Sequence, residues 1–171
     1  MRRMREGEFP RVFALMRESF PADEYRTEAA QRALLAEEAY SIWVEEDERG
    51  DVCAFMAVWS LSGCTFLEHF AVDPALRGGG IGGRMLDELS ARAGTLCLEA
   101  ELPENETARR RIGFYRRHGF VENPYPYRQP ALVPGRSAVP LVLMTWRAPV
   151  GENEFLRIRG HLYARVYRAE A

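Results

Sequence analysis

Apolar positions along the chain switch several times between a helical and a strand-like period. From Gly7 to Phe20, the residues Phe9, Val12, Phe13, Met16 and Phe20 recur at steps of three and four, which predicts an amphipathic helix ended by Pro21. Thr27 to Glu38, with Ala30, Ala33, Leu34 and Ala36, predicts a second helix. Tyr40–Glu46 and Asp51–Leu61 read as strands of a hairpin around the acidic turn Asp47-Glu48-Arg49-Gly50. Phe66 to Val72 has the composition of a buried strand, stopped by Asp73-Pro74, since proline gives no N–H to a ladder and restricts the residue before it. Then Ile81, Met85, Leu86, Leu89 and Ala93 return to helical spacing, with Arg84, Asp87, Glu88 and Arg92 on the other face.

Further on, Leu96, Leu98, Ala100 and Leu102 alternate within Thr95–Leu102, a strand stopped by Pro103. A helix over Thr107–His118 follows, with Asn105 placed to cap its start and Gly119 its end, and Phe120 opens the next strand. Met1–Met4 reads as a short first strand and Val139–Trp146 as the last one. Asn123–Pro134, dense in proline and tyrosine, reads as an ordered loop that either packs over the sheet or lines a pocket. In the tail, Phe155, Ile158, Leu162 and Val166 predict an amphipathic helix, weakened by about 1 kcal/mol at Gly160. That stripe has to be buried, and the chain's own core is the expected cover.

Composition narrows the classes. A chain of 171 residues is long enough for one domain with a proper core. Its formal net charge of −2 and lack of a basic tract exclude nucleic acid as the expected partner. No run approaches the length of a membrane span, and Met1–Arg5 is followed by Glu6 and Glu8 instead of an apolar signal segment. Cys53, Cys64 and Cys97 lack metal-ligand spacing, so reduced thiols, a cytoplasmic setting and no metal are expected.

Between the apolar strand and its helix stand Arg77 and five glycines, Gly78, Gly79, Gly80, Gly82 and Gly83. Glycine lets a backbone approach a ligand closely, and the unpaired N–H groups at a helix start favour an anion, phosphate above all. Gly78, Gly80 and Gly83 satisfy G-x-G-x-x-G, and Glu99 lies near the place of a ribose-binding acid, which would suggest NAD. A dinucleotide fingerprint, however, runs from the strand directly into its first glycine, whereas Asp73–Arg77 intervene here.

The stretch instead resembles the acyl-CoA signature R/Q-x-x-G-x-G/A of the GNAT superfamily of N-acetyltransferases, as Arg77, Gly80 and Gly82 preceded by A-V-D-P. A second stretch, Tyr115-Arg116-Arg117-His118-Gly119-Phe120, resembles the family's Y-x-x-x-G-F helix ending, in the right order and about 35 residues on. The resemblance covers residues 1 to 146 and implies an α/β fold, a mixed twisted sheet flanked by helices. Residues 147–171 would then be a C-terminal helical extension of a single 1–171 domain. It also implies transfer of an acetyl group from acetyl-CoA to a primary amine of a small molecule or peptide, by a monomer or homodimer. The rival within the fold is a non-catalytic acyl-CoA-binding or sensing protein.

Specific residues follow from the same resemblance. Arg77 and the amides of Gly78, Gly79, Gly80, Ile81, Gly82 and Gly83 would hold the pyrophosphate, and Asn105 would touch the cofactor arm. Main-chain groups of Phe70, Ala71 and Val72 would pair with the pantetheine arm and polarise the thioester. Glu68 is the expected base and Tyr115 the expected acid. Strand alternation places Glu68, Phe70 and Val72 on one face and His69, the weaker base candidate, on the other. Glu18, Asp23, Glu24 and Tyr25 either meet the amine or form a solvated face. Arg111 departs from the family pattern, which often has alanine there.

Overall fold

In the computed structural model, which describes residues 1–133, 135 and 137–169, an eight-stranded mixed sheet carries helices on both faces. The strands are β1 (Arg2–Arg3), β2 (Tyr40–Glu46), β3 (Val52–Leu61), β4 (Cys64–Val72), β5 (Leu96–Glu101), β6 (Phe120–Glu122), β7 (Tyr127–Gln129) and β8 (Val139–Trp146). Their order is β1-β2-β3-β4-β5-β8-β6, with β7 also paired to β8. Only β4 and β5 run parallel; the other pairs are antiparallel. The predicted hairpin turn forms with Asp47 Oδ1 accepting from the amides of Arg49 and Asp51.

One face is covered by α1 (Phe9–Ser19), α2 (Glu28–Ala33) and α5 (Glu152–His161), with Phe9, Phe55, Trp59, Phe66 and Phe155 fully buried between them. The other is covered by α3 (Ile81–Arg92) and α4 (Glu106–Arg117), which bury Met85, Leu86, Ile112 and Tyr115 against Met56, Leu67 and Leu98. The stripes predicted for α1 and α3 are turned to the core, and α4 buries Ala108, Ile112 and Tyr115. Asn105 caps α4, its Oδ1 accepting from the Ala108 amide at 2.8 Å, and Gly119 takes φ +84° after it.

Three expectations change in detail. The helix expected over Thr27–Glu38 is shorter: Thr27 caps α2, and Leu34–Ala36 tightens into a 3-10 turn that delivers the chain to β2. The proline-rich loop contains a strand, because Tyr127, Arg128 and Gln129 find backbone partners on β8; Pro134 at its end lies outside the described residues. The tail is helical and packs on its own core, and its last turn, Leu162–Tyr167, widens to π geometry. Tyr167 is buried with it. No helix among the described residues is long and apolar enough to cross a membrane.

Candidate active site

The site begins with an irregularity in β4. His69 pairs with Ala57 on β3 and Leu67 with the next residue, Val58, so Glu68 is an extra residue bulged out of the ladder. A bulge resets strand alternation. Phe70 and Val72 face α3 and α4, whereas both Glu68 and His69 project to the opposite side, toward the loop joining α1 to α2. The simple alternation that grouped Glu68 with Phe70 and Val72 is therefore corrected, for a physical reason that periodicity does not carry.

The same strand loses its second neighbour. β5 pairs with Thr65, Phe66 and Leu67 only, so from Glu68 to Val72 the β5-facing edge of β4 has no strand beside it among the described residues. Residues alternate along this edge: Ala71 turns its main-chain groups to β3, whereas those of Phe70 and Val72 turn toward the gap, where the Val72 carbonyl accepts from Arg77. An extended amide-bearing chain could pair there as an added strand does. Strand splaying thus creates a cleft lined by Glu24, Glu68, His69, Glu99, Glu101, Arg111 and Tyr115.

Electrostatics distinguish these groups. Glu68 is buried, its side chain 2% exposed, and its two oxygens accept from Arg26 at 2.5 Å and from Trp59 Nε1 at 2.8 Å. Burial alone would raise its pKa, but the charge of Arg26 and these hydrogen bonds outweigh it, and Glu68 is held below the ordinary carboxylate value. Such a carboxylate is a poor proton acceptor. His69 donates Nε2–H to the carbonyl of Glu24 at 2.8 Å, since a carbonyl can only accept. Burial lowers the pKa of His69 and keeps the ring neutral, which leaves Nδ1 a lone-pair acceptor with no hydrogen-bond partner among the described residues.

Glu68 and His69 therefore both grip the α1–α2 loop, and that loop presents Glu24 to the cleft. Burial pushes Glu24 up to about 7, with Glu101 and Asp23 adding to the shift and Arg111 opposing it. Glu99 is also raised to about 7 by burial, against hydrogen bonds from Tyr127 and Tyr167. Glu101 pairs with Arg111 at 2.8 Å, which places that unexpected arginine on the cleft wall instead of in solvent. Tyr115 is pushed up to about 12 by burial, so its phenol stays protonated at neutral pH.

The glycine loop meets the cleft at the end of β4. Gly78 and Gly80 take φ +88° and +78°, and α3 starts at Ile81 without a side-chain cap. A Cβ on Gly82 would stand 3.2 Å from the Phe70 ring and 3.4 Å from Val72, and one on Gly83 would stand 3.0 Å from His118. Those two glycines let α3 lie close on the sheet; Gly78, Gly79 and Gly80 carry the exposed loop. The amides of a helix start so exposed fit an anion. Arg77 is folded back, with Nε donating to the carbonyl of Val72 at 3.0 Å, so it braces the loop against the strand. Among the described residues no group of three or more His, Cys, Asp or Glu side chains is arranged to hold a metal.

Residues 38–122 match the family model described as an acetyltransferase (GNAT) domain. A GNAT-family protein from Bacteroides thetaiotaomicron, described as a candidate acetyltransferase, is 31% identical with a TM-score of 0.88, over 99% of this chain and 98% of that one. An Escherichia coli N-acetyltransferase acting on an alanine of a ribosomal protein shares the fold at 24% identity and TM-score 0.60, over 88% and 95% of the chains. A variant of the Vibrio cholerae spermidine N-acetyltransferase does so at 13% and 0.63, over 85% and 92%. No curated protein sequence matches. The chain belongs to the GNAT family of acetyltransferases.

Of the expected site residues, the structure brings Glu68, Phe70 and Tyr115 to one cleft with the glycine loop at its end, while Asn105 is engaged as a helix cap. Arg26 and Tyr167 carried no local signal, being unremarkable residues whose partners lie far off in sequence. Replacing Glu68 by Gln should leave Arg26 buried without its counter-charge and destabilise the fold by about 3 kcal/mol, read as a lower urea midpoint.

Proposed function

We propose that the protein transfers the acetyl group of acetyl-CoA to a primary amine of a small molecule. The observation that supports this reading most directly is the gap between β4 and β5, with an anion-binding turn at one end and a protonated phenol and a near-neutral carboxylate on its walls. When bound, acetyl-CoA supplies an activated thioester.

In this reading the amides of Gly78 to Gly83 hold the pyrophosphate, and the unpaired edge from Phe70 to Val72 receives the amide-bearing arm. An aliphatic amine with a pKa near ~10.4 arrives as an ammonium ion and has to lose a proton before it can attack. Glu24 takes that proton. Its pKa of about 7 suits a base working near neutral pH, whereas Glu68 is already committed to Arg26. The role foreseen for Glu68 thus passes to Glu24, and Glu68 becomes a positioning residue that ties Arg26, two residues beyond Glu24, to the bulge. Tyr115 Oη holds the proton that the leaving thiolate takes.

Acetyl-CoA and CoA, but not NADH, should raise the melting temperature by several degrees at about 100 times the dissociation constant, equivalent to roughly 2.7 kcal/mol. Thiol release should appear when an amine is added. Binding without thiol release toward any amine would favour the non-catalytic alternative, and no shift would remove the assignment.

Two variants separate the roles. The kcat/KM profile of the wild type should rise with pH through about 7 as Glu24 loses its proton, and Glu24→Gln should remove that limb and lower the rate about 100-fold. An unaltered profile would return Glu24 to the solvated surface. Tyr115→Phe should lower kcat about 100-fold with acetyl-CoA affinity little changed, and full activity would make Tyr115 a packing residue.

A further inference from the structure

The cleft has an unbalanced set of charges. Four glutamates line it, and two are neutralised: Glu68 by Arg26 and Glu101 by Arg111. Glu24 and Glu99 have no ion-pair partner among the described residues. Glu99 accepts only from the phenols of Tyr127 and Tyr167, the second of these donated at 2.6 Å by the C-terminal π turn. Each of these two carboxylates has its ionised form disfavoured by burial, and the charge of Glu24 adds to the cost at Glu99.

A second observation concerns a neutral group, His69, whose Nδ1 stands 3.8 Å from Glu68 Oε2, beyond hydrogen-bond reach. The ring of His69, 3% exposed and lining the same cleft, has its Nε2–H fixed on the Glu24 carbonyl and its Nδ1 lone pair without a partner among the described residues. A buried acceptor of this kind calls for a donor from a ligand or a water. The cleft therefore offers two carboxylates without a counter-charge and a lone pair without a partner, and what suits it is a ligand rich in N–H. The space open to the centre of a water-sized sphere is about 30 Å³, so the part of a ligand that enters has to be slender.

We propose that the cleft binds two ammonium groups of one acceptor, one at Glu24 and the other at Glu99, so that the substrate is an unbranched aliphatic diamine. The proposal deepens the acetyl-transfer reading and rests on it. It makes Glu99 a determinant of specificity and Tyr127 and Tyr167 the residues that position it, which gives the C-terminal extension a part in the site. An acceptor whose far end is a carboxylate would meet Glu99 as a like charge and be rejected.

The test compares 1,4-diaminobutane, n-butylamine and 4-aminobutanoate, and their five-carbon homologues, which differ only at the far end. Diamines should raise the melting temperature of the protein without acetyl-CoA, and the other two classes should not. In acetyl transfer, kcat/KM for the better diamine should exceed that of its monoamine about tenfold, equivalent to about 1.4 kcal/mol, with the amino acid lowest. In Glu99→Gln the ratio of diamine to monoamine should shrink to about threefold or less. Equal kcat/KM for diamine and monoamine in the wild type, or an undiminished ratio in a folded Glu99→Gln, would overturn the proposal. So would transfer to a bulky or peptide amine with none to the diamines, an outcome that leaves the acetyl-transfer reading standing. Failure to acetylate any amine would overturn that reading, and an equal thermal response to diamine and monoamine would then reject the diamine site as well.

Discussion

The extra residue in β4 is the constraint on which the site depends. A bulge leaves one residue outside the ladder, and here that residue is a glutamate in the middle of an otherwise apolar sheet. A lone carboxylate in such a place is prohibitively costly, so Arg26 is drawn from the α1–α2 loop to neutralise it. Arg26 in turn donates to the carbonyl of Val166 at 2.7 Å, and the C-terminal turn is held as well. One ion pair thus fixes three segments remote in sequence: the central strand, the loop that carries Glu24, and the tail. The neighbouring His69 repeats the attachment through the Glu24 carbonyl.

What the bulge does for acidity follows from where the counter-charges go. Arginines sit on two of the four cleft carboxylates and not on the other two. Glu68, paired with Arg26, is held ionised; Glu24 and Glu99, which have no counter-charge, are shifted toward neutrality by burial. Carboxylates of different proton affinity therefore face a single cleft, and the pattern comes from the placement of arginines on separate elements, α4 for Arg111 and the α1–α2 loop for Arg26. Tyr115 adds a donor that burial keeps protonated.

The glycine loop divides its labour. Gly82 and Gly83 are small because α3 lies on Phe70, Val72 and His118, and His118 is itself tied to Asp87 at 2.7 Å. Gly78 and Gly80 are glycine because the turn needs positive φ. Close packing and turn geometry together leave the first amides of α3 open toward the end of the splayed strand, where a phosphate group is expected to bind.

Much of the fold was legible in the sequence, because amphipathic stripes, strand alternation and helix caps are local properties: α1, α3, α4, the strands of the sheet other than β7 and the helical tail lie where such signals put them. The two family-like signatures were equally local, and they led to the family that the comparisons show. Helix ends and short strands were less legible, since the 3-10 turn after α2 and β7 owe their form to tertiary partners. The balance of charge in the cleft was not legible at all. Glu68 was the expected base by its resemblance to the family's pattern, and only the folded chain supplied Arg26, 42 residues away, to bind it. Nothing local paired Glu99 with Tyr127 or with Tyr167, 68 residues on. Sequence alone determined most of the segments that would be helix, strand and glycine turn, because short-range sterics and hydrophobic periodicity decide those. Tertiary structure decided which carboxylates meet an arginine and which do not, because a charge's proton affinity depends on burial and on neighbours that only folding brings near.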